Sequence, residues 1–244
     1  MEGIDVYLSR ATKDDRLTND DWEWLWKNGG TPWAKDAVNP WLVQYIDELT
    51  SKREGVRILL PLCGDTFDMK WLVDRGHRVV GVEASETAIL KFFSTHEIEY
   101  KVEPVEGIEN ASVYKACDDR LQIFQCDFFA VTKETIGMFD SIWDFGALVA
   151  IPPERRQEYV DIIKALLSSK GRIILETIYH REKNKFDGPP FTVEDEKVAE
   201  LYAPYFDFKF LTQRTNHEIM RKFTEIGFTQ FLNVVFLMWI LHDE

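Results

Sequence analysis

The sequence predicts an α/β fold in which helices cover both faces of a mostly parallel, doubly wound sheet. Short apolar runs alternate with amphipathic stretches of helical spacing along most of the chain, as expected for parallel strands joined by crossover helices. The 244 residues are 45% hydrophobic, which provides enough apolar material for one sizeable core. No Gly/Ser-rich, Pro-rich or single-charge tract interrupts the chain, so we expect one domain over residues 1–244.

Two strand–helix units begin the predicted sheet. Residues 56–62 are an apolar run that ends at a turn, and residues 66–74 have the apolar spacing of a short helix, which Gly76 closes. Residues 77–82 form a second apolar run, and Ser85 is a suitable N-cap for the helix that follows. The core of the sheet is therefore expected within residues 55–244.

Five more strands complete the predicted sheet. A helix that begins at Pro152 and Pro153 separates two of them, since proline is tolerated in a first helical turn. A modest helical stretch at residues 216–225 is all that separates the last two, and this short separation predicts an antiparallel final pair. The five strands are predicted at residues 121–126, 139–143, 172–178, 206–211 and 231–241.

Residues 1–50 are rich in tryptophan and are predicted to form a helical segment of their own. Five of the eight tryptophans in the chain lie here, at Trp22, Trp24, Trp26, Trp33 and Trp41. Amphipathic helices could pack these indoles on the sheet, or the segment could form a lid over a flat aromatic ligand. The residues alone leave both interpretations open.

Charge and cysteine content narrow the range of partners. A net charge of −13 repels a phosphate backbone, and no Lys/Arg-rich stripe offsets it, so a nucleic-acid partner is not expected. Cys63, Cys117 and Cys126 form an odd set without metal-ligand spacing, which predicts neither a disulfide framework nor a metal site. Residues 1–5 do not resemble a signal peptide, and residues 231–241 are too short for a membrane helix. We expect a cytoplasmic monomer that binds a small molecule and no membrane.

The loops after the first two strands suggest which ligand the protein binds. In an open α/β sheet, ligands lie beyond the carboxyl ends of the strands. The first loop has a single glycine, Gly64, whereas a dinucleotide site requires a G-x-G-x-x-G loop. S-adenosylmethionine has no phosphate, so one glycine could suffice, although a simple tight turn is an equal possibility. Glu83 ends the second strand, where a carboxylate can bind both ribose hydroxyls or be merely solvated.

Three residues follow the next two strands. Asp127 and Phe128 could bind the adenine amino group and stack on its ring, or cap a turn and pack in the core. Asp144 could steer the amine of the methionyl group, face the methyl acceptor, or cap the turn before Gly146. Serine, histidine and aspartate have no nucleophile-elbow context, so a hydrolase is poorly supported.

With these residues in view, the chain resembles the thiopurine S-methyltransferases. The resemblance extends over nearly the whole sequence, and several rare residue combinations in one order make it specific. The motifs are PLCG at 61–64, MKW at 69–71, DRGH at 74–77, VVGVE at 79–83, FDSIWD at 139–144, GALVAI at 146–151 and GPPF at 188–191.

The resemblance implies a seven-stranded, Rossmann-like methyltransferase sheet with an antiparallel terminal strand. It also implies S-adenosylmethionine as methyl donor and S-adenosylhomocysteine as product. Trp33 stands where the family usually has phenylalanine, and Asp127 where some members have serine. The implied cofactor contacts are Trp22, Trp26, Trp33, Leu62, Gly64, Glu83, Asp127 and Phe128.

The acceptor site departs from the family pattern. The family typically has Trp-Asp-Arg where this chain has Trp143-Asp144-Phe145, and the arginine is associated with the active site. Trp33, Phe145 and Pro190 are the candidate acceptor-binding residues, and Asp144 is the candidate catalytic residue. The resulting hypothesis is methylation of sulfur or selenium in a small thiol or thiopurine-like heterocycle. One alternative is an enzyme that methylates nitrogen or oxygen in an apolar or aromatic compound. The other alternative is a non-catalytic protein that binds the cofactor as a sensor. If the acceptor is a thiolate, Arg221 or Lys222 could replace the missing cation.

Overall fold

The computed structural model describes residues 3–11, 16–180, 188–215 and 230–241. Within these ranges nine strands form one sheet: β1 Arg57–Pro61, β2 Arg78–Glu83, β3 Tyr100–Pro104, β4 Ser112–Ala116, β5 Leu121–Gln125, β6 Phe139–Asp144, β7 Leu167–His180, β8 Phe206–Thr215 and β9 Phe231–Ile240. The described helices are α1 Gly3–Ala11, α2 Asn19–Lys27, α3 Pro40–Thr50, α4 Phe67–Asp74, α5 Glu86–Thr95, α6 Lys133–Ile136, α7 Arg156–Leu166 and α8 Asp195–Tyr202. Short 3-10 turns at Phe128–Ala130, Leu148–Ala150 and Pro153–Arg155 complete the described elements.

The strand order is β3-β4-β5-β2-β1-β6-β7-β9-β8. The five central strands, from β5 to β7, are parallel, while β3, β4, β8 and β9 pair antiparallel. The predicted mostly parallel core and the antiparallel final pair are therefore confirmed. Strand order reverses beside β1, which is the switch point where ligand sites form in open α/β sheets.

All seven strands predicted from the sequence are present, and β3 and β4 add an edge hairpin that was not predicted. All five residues of β3 are exposed, so this strand has no buried face and no apolar alternation that the sequence could reveal. The predicted helical stretch at residues 216–225, with Arg221 and Lys222, lies outside the described residues.

The helices cover both faces of the sheet. Buried residues of α3, α4 and α5 pack on one face, and those of α1, α7 and α8 pack on the other. Both layers leave the carboxyl ends of the parallel strands free to form a site. Among the described residues, no helix is long and apolar enough to cross a membrane.

Local capping explains why the helices begin where they do. Thr18 and Asp21 form a capping box at α2, and the side chain of Thr66 accepts a hydrogen bond from the backbone of Asp68 at α4. Ser85 caps α5, as predicted, by accepting from the backbone of Ala88. Each bond satisfies one backbone N–H that a helix start would leave unpaired.

Candidate active site

A cavity of about 770 Å³ lies at the carboxyl ends of the parallel strands, beneath the N-terminal segment. Its walls come from residues before and within α2 and α3, from the loops after β1, β2, β5 and β6, and from β7, β8 and β9. Ten of the predicted site residues line it: Trp22, Trp26, Trp33, Leu62, Gly64, Glu83, Asp127, Phe128, Phe145 and Pro190.

Glu83 joins the loops that follow β1 and β2. Its Oε2 accepts a hydrogen bond of 2.8 Å from the backbone N–H of Gly64, and its Oε1 accepts one of 2.8 Å from Ser85. Burial raises the pKa of the Glu83 carboxyl, although the backbone donors oppose this effect. A carboxylate has about four acceptor positions, so these bonds fix its orientation and leave capacity for a ligand.

Gly64 is required where it stands because the backbone and an indole ring both exclude a side chain. Its φ is +54°, and a Cβ would lie 2.9 Å from the Trp26 ring. Leu62, two residues earlier, also has a positive φ, of 48°. The turn after β1 is thus shaped to bring its backbone close to Trp26 and to the cavity.

The N-terminal tryptophans form an aromatic cluster centred on Trp33. The ring of Trp33 makes edge-to-face contacts with Tyr7, Trp22 and Trp26, at centroid distances of 5.3, 5.5 and 6.5 Å. All four side chains line the cavity. The indoles therefore pack against one another and form a wall of the cavity, and closure of this segment over a flat aromatic ligand stays a prediction.

Glu23 attaches α2 to the start of α5. Its carboxylate accepts hydrogen bonds from the Ser85 hydroxyl, from the Thr87 hydroxyl at 2.7 Å and from the Thr87 backbone at 3.3 Å. Burial raises the pKa of the Glu23 carboxyl, but these hydrogen bonds outweigh burial and lower the pKa to about 2. Because α2 carries Trp22 and Trp26, this contact positions the aromatic cluster at the cavity.

Asp127 and Phe128 have the capping and packing roles considered from the sequence, and their contacts with adenine stay a prediction. One oxygen of Asp127 caps the 3-10 turn by accepting from the backbone of Phe129 at 2.9 Å. Phe128 is buried, and its ring tilts against Tyr159 at a centroid distance of 5.1 Å. Both residues nevertheless line the cavity, so capping and packing hold them at its wall.

Asp144 is not among the residues that line the cavity. It is fully buried, and its two oxygens accept hydrogen bonds from the Tyr159 hydroxyl at 2.7 Å and the Leu148 backbone at 3.2 Å. Burial raises its pKa to about 6. Of the three roles considered, this geometry matches the turn cap. The side chain is engaged beneath the loop and does not line the cavity, so the catalytic role of Asp144 stays a prediction that this geometry does not support.

Phe145 lies on the other side of that turn and does line the cavity. Its ring stacks parallel to Trp143, with centroids 6.0 Å apart and an interplanar angle of 9°. The Trp143 indole N–H donates to Asp68 at 2.8 Å, and Asp68 also accepts from the backbone of Asn39 at 2.7 Å. The Phe145 ring is therefore supported from behind and offers the cavity an apolar surface.

Pro190 lines the cavity beside Pro189. The peptide bonds before both prolines are cis. The next residue, Phe191, donates its backbone N–H to Val149 at 2.7 Å. This bond holds the proline segment against the loop that follows β6, near Phe145.

Sequence reasoning missed a polar pair on the last strands. Asn233 of β9 donates its amide to Glu176 Oε1 of β7 at 2.6 Å, and both side chains line the cavity. Each interrupts an apolar strand, Glu176 within residues 172–178 and Asn233 within residues 231–241. A lone polar residue in a buried strand is the signal that could have identified them, because such a residue needs a partner or a function.

Comparison with known proteins supports the resemblance. The family model described as thiopurine S-methyltransferase (TPMT) matches residues 17–238. The chain belongs to the thiopurine S-methyltransferase family. It is 36% identical to thiopurine S-methyltransferase of Bos taurus over 195 residues, 80% of this chain and 79% of the relative. It is 38% identical to the Rattus norvegicus enzyme over 195 residues, 80% of this chain and 81% of the relative.

Solved structures agree with this assignment at the level of the fold. The fold is similar to that of Burkholderia thailandensis 1,6-didemethyltoxoflavin-N1-methyltransferase, which was crystallised with 1,6-didemethyltoxoflavin and S-adenosylhomocysteine. The TM-score is 0.60 at 17% identity, covering 93% of each chain. TehB from Haemophilus influenzae gives 0.58 at 13% identity, covering 89% of this chain and 66% of that one. The protein is an S-adenosylmethionine-dependent methyltransferase.

Proposed function

We propose that the protein transfers the methyl group of S-adenosylmethionine to sulfur or selenium in a small, neutral thiol or thiopurine-like heterocycle. The observation that carries the proposal is the cavity itself, which joins the loops after β1, β2 and β5 to an apolar pocket at Phe145. Donor and acceptor would share one enclosed space. S-adenosylmethionine supplies an already activated methyl group as a sulfonium.

The cofactor end of the cavity is proposed at the loops after β1, β2 and β5. Glu83 would accept hydrogen bonds from the ribose hydroxyls, and the Gly64 turn would admit the methionyl part. Asp127 would bind the adenine amino group with the oxygen that does not cap the turn, while Phe128 contacts the adenine ring. Trp26 and the rest of the aromatic cluster would exclude water from this end.

The acceptor end is proposed between Trp33, Phe145 and Pro190. An aromatic ring in place of the family arginine removes a cation that could pair with a thiolate or carboxylate. It offers apolar area and a ring face instead. A neutral heterocycle or aromatic thiol therefore fits this pocket better than an anionic one.

Catalysis in this site would consist mainly of alignment. Holding the acceptor sulfur, the methyl group and the leaving sulfur in line can lower the barrier by up to about 7–11 kcal/mol. A cavity closed by the aromatic cluster would also keep water from competing for the methyl group. With Asp144 buried beneath the loop, alignment requires no contribution from that carboxyl.

The proposal also covers the setting in which the protein acts. We propose a cytoplasmic monomer whose partner is the small-molecule acceptor, without a nucleic-acid or membrane partner. The net charge of −13 supports the exclusion of nucleic acid. Sedimentation at several concentrations would test the monomer, and a rise in mass with concentration would contradict it.

A methyl-transfer assay with three acceptor sets tests the function. Labelled S-adenosylmethionine is incubated with a thiol and selenol panel, with an amine and hydroxyl panel, and with no acceptor. Methylation confined to the first panel, with the methylated sulfur or selenium identified by mass spectrometry, is the expected result. Methylation confined to the second panel would favour nitrogen or oxygen acceptors, for which the Glu176 carboxyl at the cavity wall offers a base. Binding of cofactor without turnover on either panel would indicate a sensor.

A further inference from the structure

Among the described residues, three buried carboxyl groups line the cavity, and their hydrogen bonding differs. Glu83 accepts from two backbone N–H groups, and Asp68 accepts from the Asn39 backbone and the Trp143 indole. Glu176 accepts from Asn233 through Oε1, and no described residue donates to its Oε2. Among the three, Glu176 is thus the carboxyl with one oxygen to which no described protein group donates.

The Asn233 side chain also has an oxygen without a hydrogen-bond partner among the described residues. It is 4% exposed, its amide nitrogen is committed to Glu176, and its Oδ1 has no hydrogen-bond partner among the described residues. A buried amide oxygen without a partner carries a desolvation cost. Within this pair, Glu176 Oε2 is therefore the oxygen that can meet a ligand in the cavity, which points to a ligand that donates hydrogen.

The sheet register places this pair at the acceptor end. Asp144 pairs with Leu175 in the parallel β6–β7 ladder, so Glu176 lies level with Phe145, the residue after Asp144. Asn233 pairs with Ile178 on one side and with Arg214 on the other. Glu176 is consequently at the level of Phe145, and β1 and β6 separate its strand β7 from the strand β2 that carries Glu83.

Burial and the neighbouring groups together bring the pKa of Glu176 close to neutral pH. Burial is the largest influence and raises its pKa to about 8, and the nearby Asp68 acts in the same direction. The Asn233 hydrogen bond and the cations Lys35 and Arg214 act in the opposite direction. A group with a pKa near the working pH is suited to take up and release a proton.

We propose that Glu176 is the general base that takes the proton of the methyl acceptor, and that Asn233 is the positioning residue that orients its carboxylate. The inference rests on the proposed function, in which the acceptor is neutral when it binds. The S–H proton moves to Glu176 Oε2 as the acceptor sulfur bonds to the methyl carbon. The bond from that carbon to the sulfonium sulfur breaks and leaves its electron pair on the departing sulfur. Glu176 then releases its proton to solvent.

The substitution at Phe145 explains why such a base is needed. A thiolate that is buried without a paired cation has a raised pKa, so less of the acceptor is ionised at neutral pH. A base beside the apolar ring lets the neutral thiol bind first and ionise only as it reacts. The substrate class that follows is the neutral acceptor of ordinary thiol acidity, in contrast to preformed anions.

Glu176→Gln tests the inference, because glutamine keeps the side-chain length and an oxygen for Asn233 but cannot take the proton. The acceptors are an alkyl thiol that is neutral at pH 7 and an acidic aryl thiol that is ionised there. We expect kcat/KM to fall about 100-fold for the alkyl thiol and to change little for the aryl thiol. Glu200→Gln, on the exposed side of α8, is the matched control and should leave both rates unchanged.

The pH profile gives a second readout that a structural role would not produce. In the wild type, kcat/KM for the alkyl thiol should rise with pH near 8, where Glu176 ionises. In Glu176→Gln the rise should follow the pKa of the thiol itself. Asn233→Leu removes the donor that favours the ionised carboxylate, so it should move the rise to higher pH. S-adenosylhomocysteine binding, measured by calorimetry, verifies that each variant folds.

The outcomes separate this inference from the proposed function. A wild-type protein that methylates no thiol would overturn the proposed function, whatever the variants do. A wild type that methylates both thiols, with equal losses or no loss for them in Glu176→Gln, would overturn the role of Glu176 alone. If Glu176→Gln fails to fold, an unmoved pH profile in Asn233→Leu would overturn it instead.

Discussion

The backbone N–H of Gly64 donates to Glu83 Oε2 at 2.8 Å, which joins the loops that follow the first two strands of the sheet. This bond lies beside the point between β1 and β6 where the strand order reverses, at the proposed cofactor end of the cavity. The carboxylate is oriented before any ligand arrives, and preorganisation of this kind lowers the entropic cost of binding.

Replacement of Glu83 should weaken cofactor binding. Glu83→Gln keeps the shape but removes the charge and leaves Gly64 or Ser85 facing an amide N–H group. Hydrogen bonds to a charged partner contribute about 1.5–3 kcal/mol, so we expect the dissociation constants of S-adenosylmethionine and S-adenosylhomocysteine to rise at least tenfold. Calorimetry measures both, and Glu99→Gln at an exposed position is the control. Unchanged affinity would remove Glu83 from the site.

Gly64 offers a test in which backbone strain and ring contact can be separated. Gly64→Ala places a Cβ 2.9 Å from the Trp26 ring at a φ of +54°. Gly55→Ala creates the same strain at a φ of +62°, with nothing within 4 Å of the new Cβ. We expect Gly55→Ala to lose about 1–2 kcal/mol of unfolding free energy without affecting the cofactor. Gly64→Ala should lose more and should also bind cofactor more weakly.

Urea denaturation and cofactor calorimetry on the two glycine variants provide the measurements. The decisive quantity is the difference between them, because the strain common to both cancels. Equal stability losses with unchanged cofactor affinity in both variants would show that Trp26 moves aside at no cost. The aromatic wall would then be looser than the contact with Gly64 indicates.

Glu23 should control how firmly the aromatic wall is held. Glu23→Gln weakens the bonds to Ser85 and Thr87, so we expect a loss of about 1 kcal/mol of stability and faster hydrogen exchange in α2. Cofactor binding should slow that exchange in the wild type and do so less in the variant. Asp20→Asn, at an exposed position of the same helix, should behave like the wild type. Unaltered hydrogen exchange of α2 in Glu23→Gln would show that the contact of Glu23 with Ser85 and Thr87 does not hold this helix in place.

The pKa of Glu23 also sets the pH range in which its carboxylate contributes to the stability of the fold. Its value falls from 4.5 to about 2 on folding. A carboxyl group whose pKa is lower in the folded protein than in the unfolded chain stabilises the fold at pH values above the unfolded-chain pKa. That stabilisation is lost as the pH falls through the pKa of the folded protein. The stability difference between wild type and Glu23→Gln should therefore be constant above about pH 5 and decline toward pH 2. A difference that grows on acidification would contradict this assignment.

The sequence predicted the parallel core well because its strands are buried on both faces and stand out as continuous apolar runs. It missed β3, whose residues are all exposed. It also predicted the walls of the cavity, because residues at strand ends follow from the topology alone. The direction of a side chain does not follow from topology, and Asp144 and Phe145 differ in this respect. One lies beneath the turn and the other in the cavity, although they are neighbours in sequence.

Glu176 and Asn233 illustrate a different limit. Their strands were predicted, but the two residues are 57 positions apart in the sequence. In the sheet register Glu176 pairs with Val235 and not with Asn233. Their contact is diagonal and depends on the antiparallel register. Sequence patterns locate strands far better than they fix the pairing of two distant ones.

Phe145 provides the last prediction, which concerns the choice of acceptor. Phe145→Arg restores the guanidinium that the family typically has at this position, and Phe145→Leu removes the ring without adding charge. An arginine fork can pair with a thiolate or carboxylate, so Phe145→Arg should raise kcat/KM for carboxylate-bearing aromatic thiols by about tenfold. It should lower activity toward neutral thiols of the same shape, which lose the apolar ring face. Phe145→Leu should lower activity toward both sets, because apolar contact decreases for each. The measurement is methyl transfer to paired acceptors that differ only in the carboxylate. Equal effects of Phe145→Arg on the two sets would show that position 145 does not set acceptor charge, since an added cation must discriminate between a charged and a neutral ligand if it contacts either.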